Sequence, residues 1–148
     1  MKTQIYIFCC LFIGLINAQE RHKIEAEIYG NDSFKQLDVS QKVTYFNNSK
    51  QKLDTLFFYD WNNAFSRKTS PLAKRFAEEY TRKFHFSSKE ERGFTKIKTA
   101  SINGISVEVS RVNQQPDISN IILDKALLPN QNIVITLTLK LQITDKKF

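Results

Sequence analysis

The chain has 148 residues, 41% of them hydrophobic and 12% aromatic, which fits one domain with a single core and excludes a disordered tail. Its formal net charge is +7, but the cations are dispersed among acids, with no glycine-rich or aromatic-basic motif beside them, so no nucleic-acid partner is expected. Cys9 and Cys10 both lie in the first apolar run, which excludes a disulfide framework or a cysteine metal site in the remainder.

Lys2 precedes an apolar run from Ile5 to Ile16, and Ile16-Asn17-Ala18 closes it with a small residue before Gln19. This pattern predicts a secretory signal peptide over residues 1–18, with export to the periplasm or the extracellular space. A membrane helix needs about 20 apolar residues. The run is shorter, and polar Gln19, Glu20 and Arg21 follow it directly, so no membrane span is expected after cleavage. Losing Lys2 leaves 21 basic residues against 15 acidic ones, a mature charge of +6.

His22 to Tyr29 alternates, placing His22, Ile24, Ala26 and Ile28 on one side, and predicts a half-buried strand. After turn residues at 30–33, residues 36–47 alternate again with Leu37, Val39, Val43 and Tyr45 inward, completing a hairpin. Residues 53–60 carry bulk on both alternating faces, Leu53, Phe57 and Tyr59 against Leu56 and Phe58, and predict a central strand buried twice over. Asp60-Trp-Asn-Asn63 bends the chain, because Asn and Asp bond their own backbone in turns. Ser70 suits an N-cap and Pro71 a first helical position. Leu72, Phe76, Tyr80 and Phe84 then recur every four residues, which predicts one amphipathic helix over about 70–86.

Residues 94–102 form a further strand, and Asn103-Gly104 a hairpin turn before Ile105, Val107 and Val109. A short strand is expected over 118–123, and the cleanest alternation of all runs from Ile133 to Ile143. Seven or eight short strands with one helical insertion predict a mainly β fold, an antiparallel β-sandwich or saddle-shaped sheet.

No constellation for catalysis emerges. The histidines are His22 and His85, not one helical turn apart as a His-Glu-x-x-His zinc helix requires, His85 has no recognised ligand spacing to Glu90 or Glu91, and no Gly-x-Ser-x-Gly supports a hydrolase triad. No catalytic, cofactor-binding or metal-ligating residue is assigned. Trp61, Asn62, Asn63 and Phe65 form the candidate interface or binding surface, although the density of aromatics from Phe57 to Phe86 is better explained by a sheet-to-helix core, since they recur at strand and helix periods. Asn31-Asp-Ser33 and Asn47-Asn-Ser49 match the N-glycosylation pattern.

Asn47-Asn-Ser, Leu53-Asp-Thr-Leu and Asn63-Ala-Phe65 together resemble the N-terminal domain of aminopeptidase N-like zinc metallopeptidases. Thr69-Ser-Pro-Leu-Ala-Lys-Arg-Phe76 and Glu91-Arg-Gly93 resemble an insertion in secreted bacterial members, and Ile102-Asn-Gly and Leu123 to Pro129 the closing strands. The resemblance implies a β-saddle domain over 19–148 that precedes a thermolysin-like catalytic domain. That second domain would carry His-Glu-x-x-His, the zinc, a distal Glu ligand and a Gly-x-Met-Glu-Asn motif for peptide substrates; none of these occurs here. The chain ends at Thr144-Asp-Lys-Lys-Phe148, where such proteins run on, so a truncated domain is expected. The expected partner is the missing catalytic domain. The alternatives are a secreted module that binds glycan or protein through aromatics near Trp61, and a polyanion binder that uses the net charge.

Overall fold

The structure is a computed structural model that describes residues 22–30 and 35–148. The expected signal peptide, the 31–33 glycosylation match and most of the first turn lie outside the described residues.

Two antiparallel sheets face each other. The larger contains β1 (Lys23–Gly30), β2 (Gln36–Phe46), β4 (Phe94–Ile102), β5 (Ile105–Ser106) and β8 (Asn132–Gln142), in the order β1-β2-β8-β4-β5. The smaller has β3 (Leu53–Tyr59), β7 (Ile118–Leu127) and β6 (Ser110–Arg111), in the order β3-β7-β6. The mainly β, sandwich-like fold agrees with the sequence reading, but the central strand differs. β8 pairs with β2 along one edge and β4 along the other, whereas β3 pairs with β7 alone and forms a sheet edge.

Register explains the layers. Val43 lies opposite Ile135 and Tyr45 opposite Ile133, while Ile102 meets Ile135 from the other side, so one face of the large sheet is aliphatic. Thr136, Thr138 and Lys140 on the other face have polar partners such as Lys42, Ser40 and Asp38, and Lys98 on β4 reaches across to Asp38. The core forms where the aliphatic face meets the small sheet: Val43, Ile133 and Ile135 against Leu56, Ile121 and Leu127. Burying each of these large side chains stabilises the fold by about 1.5–3 kcal/mol.

Three expectations change. β1 is exposed along its whole length among the described residues, because it extends the large sheet beyond the cover of the small one; Ile24 and Ile28, on the inward face, are each 62% exposed. Phe57 and Tyr59 lie on the outward face of β3, which no other described element covers, so among the described residues the strand is buried on one face only. The helix is shorter than 70–86. Its N-terminus is as expected, with Ser70 Oγ accepting from the Ala73 amide at 3.2 Å and Pro71 in the first turn, but α1 ends at Glu78.

The C-terminus of α1 is a Schellman motif. The Thr81 amide donates to Phe76 O at 2.7 Å and the Tyr80 amide to Ala77 O at 3.1 Å, with Tyr80 left-handed at φ 58°. Tyr80 therefore leaves the apolar stripe and is 86% exposed, while the chain re-enters as a 3₁₀ turn (Arg82–Phe86) that buries Phe84 completely. Phe84 closes a satellite cluster with Phe65, Phe76 and Phe148, whose ring centroids lie 5.3–6.1 Å from its own.

Candidate functional site

The segment singled out as a surface is a 3₁₀ turn, Trp61–Phe65, that hangs from the end of β3. Its four named side chains separate. Trp61 projects outward at 64% exposure; Asn63 is buried; Asn62 is half-buried; Phe65 turns into the aromatic cluster, 6.3 Å from Phe76.

The two asparagines serve the fold. Asn62 Nδ2 donates to Phe94 O at 2.8 Å and to Gln142 O at 3.1 Å, which ties the turn to the ends of β4 and β8. Gly93 makes that approach feasible, since a Cβ there would sit 2.7 Å from Asn62 Oδ1. Asn63 Oδ1 accepts from the Thr95 amide at 3.2 Å, and its Nδ2 donates to Pro116 O at 2.5 Å. Beneath them, Asp60 accepts from Thr95 Oγ1 at 2.6 Å and pairs with Arg111 at 2.8 Å, while Arg111 also donates to Pro116 O and Thr95 O. The result is a polar knot that fixes the turn between the two sheets. A buried polar group is retained only when its partners are this complete.

In front of the knot, a groove of about 330 Å³ opens between the sheets. Leu137, Leu139 and Leu141 on β8 and Ile97 on β4 form its aliphatic floor, and Tyr59 and Trp61 stand on its rim. Tyr59 is 87% exposed, and Phe57, two residues back on the same face of β3, is 65% exposed. Three large aromatic side chains thus lie bare along one edge of the small sheet. Contiguous exposed apolar side chains of this kind make a candidate contact surface.

Neither histidine joins this region as a ligand. His85 Nε2 meets Ala73 O at 2.9 Å and braces α1, and His22 stacks on Tyr45 with ring centroids 4.6 Å apart. Among the described residues no group of three or more His, Cys, Asp or Glu side chains could hold a metal ion. The described residues therefore do not fit a zinc site. No helix among the described residues is long and apolar enough to cross a membrane.

The Asn47 sequence match also resolves into structure. Asn47 is buried; its Nδ2 donates to Gln51 O at 2.8 Å and Leu127 O at 2.9 Å, and its Oδ1 accepts from the Ser49 amide and hydroxyl. The amide that a glycan would occupy is thus engaged inside the fold.

No protein-family profile matches the sequence, and no curated protein matches it. Among solved structures, the chain is similar to a two-domain M1 zinc metallopeptidase crystallised with L-tryptophan. The TM-score is 0.51 at 10% sequence identity, covering 84% of this chain and 21% of that one. The likeness is one of fold, and the chain spans about a fifth of that enzyme's length.

Proposed function

We propose that this chain is the non-catalytic N-terminal domain of an exported, aminopeptidase-like zinc metallopeptidase, packing against a thermolysin-like catalytic domain and walling one side of its substrate cleft. The bare row Phe57, Tyr59 and Trp61 beside an aliphatic groove carries this reading, because it offers a neighbouring domain a contact surface of aromatic and aliphatic character. The fold likeness to one part of a two-domain enzyme supports it. Zinc, peptide substrates and all bond-breaking chemistry belong, on this reading, to the partner domain.

Two measurements test it. The purified chain, incubated with zinc and aminoacyl reporter substrates, is expected to give no turnover; zinc-dependent hydrolysis overturns the assignment. Reading the coding DNA beyond codon 148 is expected to reveal an open frame with a zinc-binding helix. A stop codon there, together with a purified chain that neither self-associates nor binds a hydrophobic dye, overturns the docking role.

A further inference from the structure

A cleft of about 650 Å³ opens between the start of α1 and the loop that precedes β7. Arg67, Thr69 and Lys74 line one wall, Asn113, Gln114 and Gln115 the other, and no acidic residue lines it. All six residues are exposed, and none of their side chains pairs with another described residue. In a chain whose other cations include several bound in ion pairs, as Lys23, Lys98 and Arg75 are, this leaves two cations and three amides free at one place.

The walls behind these side chains are fixed. Ser70 Oγ donates to Ala64 O at 2.7 Å, and Asn63 Nδ2 and Arg111 Nη1 both donate to Pro116 O, at 2.5 and 2.6 Å. Pro71 and Pro116 add two locked φ angles. Gln114 holds φ 64°, a conformation that Gly or Asn adopts at lower cost. A ligand therefore meets a preformed backbone surface, and what must be ordered is the exposed side chains.

We propose that this cleft binds an acidic oligosaccharide, with a uronate carboxylate held by Arg67 and Lys74 and the ring hydroxyls held by Asn113, Gln114 and Gln115. The cations set the charge of the ligand, and Arg matches a carboxylate with two parallel N–H donors. The amides set its class: each presents a donor and an acceptor, as a sugar hydroxyl requires. No aromatic ring lines the cleft, so the stacking that holds single-stranded nucleic acid is missing. The volume falls in the range of small-ligand sites.

Titration of the purified chain with tetragalacturonate, followed by calorimetry and by NMR shifts of backbone amides, tests the proposal. The expected result is saturable binding that shifts residues 67–74 and 113–115. Arg67→Gln and Lys74→Gln should each weaken it about fivefold, the scale of a surface ion pair. Lys50→Gln and Lys125→Gln, outside the cleft, should leave it unchanged, and thermal melts should show every variant folded. Equal affinity for a neutral galactose tetrasaccharide overturns the proposal. So does an equal loss in the two control variants, which would mean diffuse charge attraction, or tighter binding of tetraglutamate or an oligonucleotide. None of these outcomes bears on the docking role proposed above.

Discussion

Arg111 Nη2 lies 2.8 Å from Asp60 Oδ2, joining a two-residue strand of the small sheet to the turn that carries Trp61. Both side chains are largely shielded, and Arg111 spends its remaining donors on Pro116 O, Ser119 Oγ and Thr95 O. The pair therefore acts as a clamp between the sheets rather than a solvated surface bridge. Arg111→Met leaves Asp60 with its charge and one lost partner, and should lower unfolding free energy by about 2–3 kcal/mol in urea denaturation. Asp60→Asn should cost less, and the double variant should fall short of the sum, because the two residues share one interaction. Strict additivity would remove the clamp.

Asn47 offers a second test. Its amide donates to two carbonyls and accepts twice, so Asn47→Ala removes the side-chain donor to Leu127 O and one of the two to Gln51 O, which keeps the Ser49 hydroxyl. The expected loss is about 2–3 kcal/mol. Expression in a glycosylating host should yield folded protein with no glycan on Asn47, checked by peptide mass mapping. A natively melting fraction glycosylated at Asn47 would contradict the buried geometry.

The strand faces were legible in the sequence because period two is a local signal. Val39, Val43, Ile133 and Ile135 point inward as alternation requires, and Asn103-Gly104 turns a hairpin. Neighbours were not legible, since pairing is non-local: nothing in residues 53–60 says whether two strands or one flank them. Bulk on both faces of β3 reflects a core on one side and a bare aromatic row on the other. The same limit hid the knot, whose members Asp60 and Arg111 are 51 residues apart. It also let Trp61, Asn62, Asn63 and Phe65 read as one surface, when only the fold decides which of four adjacent side chains face inward.

Tyr80 explains the overlong helix and yields a third prediction. It matched the four-residue stripe, and no glycine or proline announced a stop, yet it occupies the left-handed position that glycine fills most readily. An L side chain at that φ costs roughly 1–2 kcal/mol, part of which glycine's greater freedom in the unfolded chain offsets. Tyr80→Gly, removing an exposed ring, should stabilise the protein by about 0.5–1 kcal/mol, raising the melting temperature. A decrease would mean that Tyr80 makes contacts the structure does not record.

Acid pH should loosen the end of the chain. Hydrogen bonds, first from Lys147 and then from the Ser88 amide, hold the Glu91 carboxyl below its ordinary value of 4.5. A depressed folded pKa favours the folded state above the unfolded value, and the gain disappears as pH falls through the lower one. This contact should therefore be intact above pH 4.5 and lost on further acidification. Carboxyl-detected NMR should place the Glu91 midpoint below 4.5, and Lys147→Ala should move it upward. An unmoved midpoint would assign the depression to the Ser88 amide instead.

The aromatic row makes the last prediction, which separates folding from association. Tyr59 and Phe57 are 87% and 65% exposed, and Trp61 touches Phe65 edge-on at a centroid distance of 6.4 Å. Tyr59→Ser should therefore change stability by less than about 0.5 kcal/mol, and Trp61→Ser by no more than about 1 kcal/mol. Their effect should appear where the row is covered. Hydrophobic-dye binding and sedimentation should show the parent chain self-associating or dye-binding, and the double variant substantially less so at an unchanged fold. Large losses of stability would instead show that these rings serve the core, and the surface on which the docking role rests would no longer exist.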